Sequence, residues 1–178
     1  TARLTTISSS SGSSMPSSVQ GNTIQNFVWT SSYPSIAHPG VWCGIFVLGG
    51  AVDVGTVMGN TIGNGTGTGS VSVTNAGSGG TIFGIASEGA STINICNNVI
   101  GSMTVNSTAS NVGTSLVGIY ALNGTPTIRN NVVGSITTAG SLSAATSSTY
   151  GQHVTGILCS TDGAVIADNT VAGLNNNS

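Results

Sequence analysis

No lysine occurs in this chain of 178 residues, and Arg3 and Arg129 are its only arginines. A nucleic-acid interface needs a basic footprint, which two isolated arginines do not make. An electrostatic membrane anchor needs a cluster of Lys and Arg and is excluded on the same ground. Acids are nearly as scarce: Asp53, Glu88, Asp162 and Asp168. Charged residues make up 3% of the chain, against about 25% in ordinary globular domains. Long apolar runs are missing too, since Gly44-Ile45-Phe46-Val47-Leu48 is far too short to span a bilayer. Cys43, Cys96 and Cys159 are an odd set without metal-ligand spacing, so neither a disulfide framework nor a metal site is expected. The sequence opens with neither an initiator methionine nor a signal peptide. The expectation is one domain over residues 1–178, a piece of a longer repeat array, with 1–18 as a partial preceding coil or linker.

Glycine, serine, threonine and asparagine stand where charge normally sits. Disorder goes with low hydrophobicity and high net charge, whereas 38% of this chain is hydrophobic and its net charge is −2. Val and Ile supply many of the apolar residues and favour strands. The composition therefore predicts an all-β fold solubilised by hydroxyls and amides.

An internal repeat orders the chain. Its segments are Gly21-Asn22-Thr23-Ile24, Gly59-Asn60-Thr61-Ile62, Asn97-Asn98-Val99-Ile100, Asn130-Asn131-Val132-Val133 and Asp168-Asn169-Thr170-Val171. The aligned asparagines are Asn22, Asn60, Asn98, Asn131 and Asn169, at spacings of 38, 38, 33 and 38 residues. A second marker, Gly44-Ile45, Gly84-Ile85, Gly118-Ile119 and Gly156-Ile157, keeps similar time. Apolar columns flank the asparagine. Three residues before it come Val19, Val57, Ile95, Ile128 and Ile166, and two after it come Ile24, Ile62, Ile100, Val133 and Val171. Five after it come Phe27, Gly65, Met103, Ile136 and Leu174. The intervening column of Gln20, Met58, Cys96, Arg129 and Ala167 is mixed, as an outward position tolerates. Alternation with period two is strand geometry. The Gly, Asn or Asp just before the asparagine readily takes positive φ, so a bend is expected there. The asparagine has the parity of the apolar columns and should face inward, its amide bonded to its equivalents above and below.

This pattern resembles the right-handed parallel β-helix proteins of the pectin-lyase-like superfamily, particularly repeat arrays of large secreted bacterial surface and adhesin proteins. The matching motif is Gly-Ile, about a dozen residues, then Ile-x-x-Asn-x-Ile/Val, as in Gly118-Ile119 and Ile128-Arg129-Asn130-Asn131-Val132-Val133. It covers residues 19–174. The resemblance implies about five coils of roughly 38 residues, each with three short strands and an internal asparagine ladder. Residues 28–39, 66–80, 104–114 and 137–153 would be long Ser/Thr/Gly-rich side loops. The competing register has two coils of roughly 19 residues per repeat, with Val71-Ser72-Val73 as an extra rung.

Enzymes on this fold usually cut acidic polysaccharides with paired carboxylates, or with a base and acid-bound calcium. The four acids here form no Asp-x-Asp or Asp-Asp, and no catalytic residue carries over. His38 and His153 read as loop histidines, and the Asn-x-Ser/Thr matches at Asn64, Asn106, Asn123 and Asn176 as chance. Trp29, Tyr33 and Trp42 cluster near the first excursion, where they would either stack on sugar rings or plug the end of the solenoid. A threonine-bearing column after the asparagine (Thr23, Thr61, Val99, Val132, Thr170) lacks the paired rows an ice-binding face would want. The expected function is a non-catalytic extracellular structural and adhesive module of a secreted or cell-surface protein. It would need no cofactor, and its partners would be further coils, identical copies or polysaccharide. The alternative is a fragment of a polysaccharide lyase or hydrolase whose active residues lie elsewhere.

Overall fold

The computed structural model describes residues 2–34, 39–146 and 151–177. Among them every regular element is a strand, and the strands recur in five passages. The first passage contains β1 (Leu4–Ser10), β2 (Ser17–Val19), β3 (Thr23–Ile24) and β4 (Phe27–Ser31). The second contains β5 (Trp42–Val54), β6 (Thr61–Gly63) and β7 (Val71–Asn75). The third contains β8 (Thr81–Ser87), β9 (Ala90–Cys96), β10 (Val99–Gly101) and β11 (Met103–Ser107). The fourth contains β12 (Ser115–Ala121), β13 (Thr125–Arg129), β14 (Val132–Gly134) and β15 (Leu142–Thr146). The last contains β16 (Val154–Cys159), β17 (Val165–Ala167), β18 (Thr170–Ala172) and β19 (Leu174–Asn177).

Each strand pairs in parallel with its counterpart one passage away. β1, β5, β8, β12 and β16 line up in that order. β2, the second half of β5, β9, β13 and β17 make the next row, and β5 joins the two rows into one nine-stranded sheet. β3, β6, β10, β14 and β18 form a five-stranded sheet, and β4, β7, β11, β15 and β19 form another. The three sheets enclose one apolar core whose columns repeat from passage to passage. Ile45, Ile85 and Ile119 form one column, Ile62, Ile100 and Val133 a second, and Val71, Met103 and Leu142 a third, all fully buried.

The Gly-Ile marker has a packing cause. Gly84 stands opposite Ile100, and a Cβ added to it would lie 2.5 Å from the Ile100 Cγ2. Gly118 and Gly156 meet Val133 and Val171 in the same way. A side chain here would push two sheets apart, so the column stays glycine while the next residue fills the core.

Several expectations are corrected. The supposed side loops each contain a strand: β4, β7, β11 and β15 lie within residues 28–39, 66–80, 104–114 and 137–153 or at their edges. A passage therefore has four pairing positions. The register of two short coils also fails, because these strands pair one full passage apart, as in Met103 with Val71 and Leu142. Val57 is not in the inward column. Val54 pairs Val19 and Ile95, and Val57 is 90% exposed in a three-residue insertion. The bend of that passage moves with it, to Gly55 (φ 79°) rather than Gly59. Gly65 and Ile136 are displaced likewise by Val71 and Leu142, because extra residues are looped out before β7 and β15. The other bends fall where the repeat placed them, with positive φ at Gly21, Asn97, Asn130 and Asp168.

Candidate functional site

The asparagine column runs through the interior between the second and third strand positions. Asn60, Asn98 and Asn131 are buried, and Asn22 and Asn169 at the two ends are half-buried. The Asn98 Oδ1 accepts both the Asn60 backbone N–H and the Asn60 Nδ2, each at 2.9 Å. The Asn98 backbone N–H and Nδ2 in turn donate to the Asn131 Oδ1 at 3.0 Å, and Nδ2 also donates to the Val54 carbonyl at 3.1 Å. The same bonds link Asn22 to Asn60 and Asn131 to Asn169. Every interior amide is satisfied, which the burial of such a polar group requires.

A second ladder escaped sequence reading. Ser70, Ser102 and Ser141 each precede the first apolar residue of β7, β11 and β15. The Ser102 Oγ accepts the Ser70 backbone N–H at 3.0 Å, and the Ser141 Oγ accepts the Ser102 N–H at 2.8 Å. The signal was present in Ser-Val71, Ser-Met103 and Ser-Leu142. It aligns only after the looped-out residues are removed.

Of the aromatic residues expected to stack on sugars or plug an end, Trp42 lies wholly in the core, its ring centroid 6.3 Å from that of Phe27. It has no exposed face, so glycan stacking there is corrected. Trp29 is half-buried and packs against the same core in the first passage, with its Nε1 buried and unpartnered. Tyr33 is half-buried with the Arg3 guanidinium 5.8 Å from its ring centroid. The three residues do not form one surface.

A concavity lies on the outside of the first sheet, over β8, β12 and β16, with a volume of about 370 Å3. Two outward columns in register supply its floor. Phe83, Val117 and Thr155 belong to one, Tyr120 and Leu158 to the other. The Phe83 and Tyr120 rings lie 5.6 Å apart at 44° and are nearly covered, while Leu158 is 40% exposed. Thr81, Ser115 and His153 complete the rim. Burial raises the Tyr120 hydroxyl above its ordinary range, and the Glu88 carboxylate adds to the effect. The site thus offers hydroxyls, an imidazole and an apolar floor.

The acids are engaged separately. Asp53 accepts a hydrogen bond from Asn94 at 2.7 Å, and Asp168 pairs with Arg129 at 3.6 Å. Among the described residues no group of three His, Cys, Asp or Glu is arranged to hold a metal. His38 lies outside the described residues. Cys43 is fully buried beneath the outer face of the first sheet, where burial pushes its thiol up; Cys96 is half-buried on the outside, also raised chiefly by burial. The column Thr23, Thr61, Val99, Val132 and Thr170 is in register, but its strands are too short to carry a second outward column beside it. Comparison of the chain with protein-family models, with curated proteins and with solved structures found no match.

Proposed function

We propose that the chain is a non-catalytic structural and adhesive module of a secreted or cell-surface protein. Its five passages are read as five coils of a right-handed parallel β-helix of the pectin-lyase-like type. At about 4.8 Å per coil they make a stiff rod segment roughly 24 Å long. The observation that carries the reading is the asparagine ladder, which bonds each passage to the next along the whole stack. The groove over β8, β12 and β16 is the proposed adhesive point. Its volume lies within the range of ordinary ligand pockets. Its rim of hydroxyls and one imidazole suits a neutral sugar residue rather than a charged one.

Two measurements test this together. Beads coated with the chain are expected to adhere to a surface bearing neutral polysaccharide, and less so after His153→Ala with Thr155→Val. Reducing-end and unsaturated-uronate assays over a polysaccharide panel are expected to show no turnover. Turnover that vanishes when Asp53, Glu88, Asp162 or Asp168 is replaced by its amide would overturn the non-catalytic reading. Adhesion indifferent to the groove variants would remove the groove from it.

A further inference from the structure

We infer that Asn64 is a site of spontaneous covalent modification, where the side-chain amide is lost as ammonia and the residue becomes aspartate or isoaspartate.

The chemistry needs only water. The backbone nitrogen of the residue after an asparagine attacks the side-chain Cγ. A C–N bond forms, the Nδ2 leaves as ammonia, and the proton of the attacking nitrogen goes with it through solvent. Water then adds to one carbonyl of the five-membered ring and breaks its bond to the ring nitrogen. Opening at the side-chain carbonyl gives aspartate, and opening at the main-chain carbonyl gives isoaspartate. Ring closure is intramolecular and depends on approach. It demands an attacking nitrogen that is uncrowded and unbonded, and a side-chain amide free to swing over it. Glycine crowds the nitrogen least, and only Asn64 and Asn123 precede glycine in this chain.

The structure separates these two. Asn64 is exposed, and among the described residues no partner bonds its side chain or the Gly65 N–H. A Cβ at Gly65 would come no closer than 3.4 Å to any atom beyond its chain neighbours, and one at Gly67 or Gly69 no closer than 4.0 Å. The segment is tethered by the Asn64 N–H on the Gly101 carbonyl and by the Gly67 N–H on the Thr138 Oγ1, each at 3.0 Å. Between these tethers nothing restrains the Asn64–Gly65 peptide. Asn123 is exposed as well, but its Nδ2 donates to the Glu88 carbonyl. Gly124 is wedged in its turn, with φ 80° and the Ala90 carbonyl oxygen 2.0 Å from where a Cβ would sit. Its carbonyl accepts the Thr161 hydroxyl at 2.7 Å. Ring closure at Asn123 must break the bond to Glu88 and turn a fixed backbone.

The ladder is protected twice over. Each of its asparagines precedes Thr or Val, whose branched side chain crowds the attacking nitrogen. The N–H groups of Thr61, Val99, Val132 and Thr170 are also committed to the ladder carbonyl of the preceding passage. Modification at Asn64 adds a carboxylate to a chain whose net charge is −2. Isoaspartate also lengthens the main chain by one carbon, in the open stretch between β6 and β7. The groove over β8, β12 and β16 contains none of these residues.

Timed incubation of the folded 178-residue chain at mildly alkaline pH, followed by proteolysis and mass spectrometry with fragmentation that distinguishes isoaspartate, is the test. Asn64 should be modified first, with isoaspartate among its products and a new acidic species on ion exchange. Native Asn123 should react about tenfold more slowly or less, because a hydrogen bond must break first. In urea the two rates should converge. Gly65→Ala places a methyl 3.4 Å from the Val99 Cγ1, an ordinary contact, so its melting point should match the parent's while Asn64 reacts about tenfold more slowly. An Asn64 that stays intact, or a ladder asparagine that reacts before it, would overturn the site. Equal native rates at Asn64 and Asn123, or a difference that persists unchanged in urea, would overturn the role assigned to the fold.

Discussion

Replacing Asn98 with leucine removes the centre of the ladder while keeping side-chain volume nearly constant. The loss can be itemised. The Asn98 Oδ1 accepts two donors from Asn60, the backbone N–H and the Nδ2, both buried. Leucine leaves the N–H and one Nδ2 hydrogen without an acceptor, at about 1–3 kcal/mol each, while the Nδ2 keeps its bond to the Val19 carbonyl at 2.9 Å. The Val54 carbonyl and the Asn131 Oδ1 lose one donor apiece but the latter keeps the backbone N–H of residue 98. Apolar burial of leucine returns about 1–2 kcal/mol. The net destabilisation is about 3 kcal/mol, or about 6–12 °C in Tm for a chain of this size. Urea unfolding followed by circular dichroism measures it. The ladder's direction supplies the control. Asn22 and Asn169 are both half-buried ends. The Asn169 Oδ1 serves two Asn131 donors, whereas no donor among the described residues reaches the Asn22 Oδ1. Asn169→Leu should thus cost about 2 kcal/mol and Asn22→Leu less than about 1 kcal/mol. Equal costs at the two ends, or an Asn98→Leu cost below about 1 kcal/mol, would refute the reasoning.

Gly84→Ala should cost about 1–3 kcal/mol by thermal melting, because its methyl would press on Ile100, whereas Gly12→Ala, with nothing within 4 Å, should be neutral. Ser141→Ala should cost about 1–2 kcal/mol in urea, because it strands the buried Ser102 N–H. The Cys43 thiol should resist alkylation at pH 8 until the chain is unfolded, while Cys96 reacts in the native state; mass spectrometry after timed labelling reads both. The same burial predicts a stability that is level below the thiol's ordinary value of 9.0 and falls above it. The unfolded chain then releases a proton that the native chain retains, at up to about 1.4 kcal/mol per pH unit. Cys43→Ala should flatten that slope in part, leaving the contributions of Cys96 and Tyr120, which burial shifts in the same sense.

The parts of the fold legible in the sequence were those repeated at constant offset from the asparagine. Ile95, Cys96, Asn97, Asn98, Val99 and Ile100 state the whole device of inward, outward, bend, ladder, outward and inward in six residues. Residues beyond the next bend were read poorly because insertions there vary in length. β10 leads to β11 across one residue, but β6 reaches β7 only after seven, and a fixed offset therefore landed on Gly65 instead of Val71. The Ser/Thr-rich stretches looked like loops because polar residues alternate with few apolar ones, Val71 and Val73 in β7 and Leu142 and Ala144 in β15 being their core-facing apolar side chains. The groove was illegible for a different reason. It is built from outward residues of three passages, Phe83, Tyr120 and Leu158 among them, whose proximity depends on pairing rather than on local sequence.

The chain's poverty in charge and its buried asparagines have one physical connection. Apolar columns of Ile and Val favour stacking but discriminate weakly between registers, since a slip of two residues restores the same inward parity. Charged pairs often settle such ambiguities, and here only Arg129 with Asp168 forms an ion pair among the described residues. The ladder settles it instead. A slip of two residues would set the Asn98 amide against the Ile62 and Val133 side chains rather than against Asn60 and Asn131, stranding several buried donors at once. The penalty grows with the number of passages, because each junction repeats the same bonds. A polar column that adds little net stability at one junction can therefore dominate the choice of register for the whole stack, and the bend residue beside it, Asn97 or Asn130, keeps that column aimed inward in every passage that has no insertion before it.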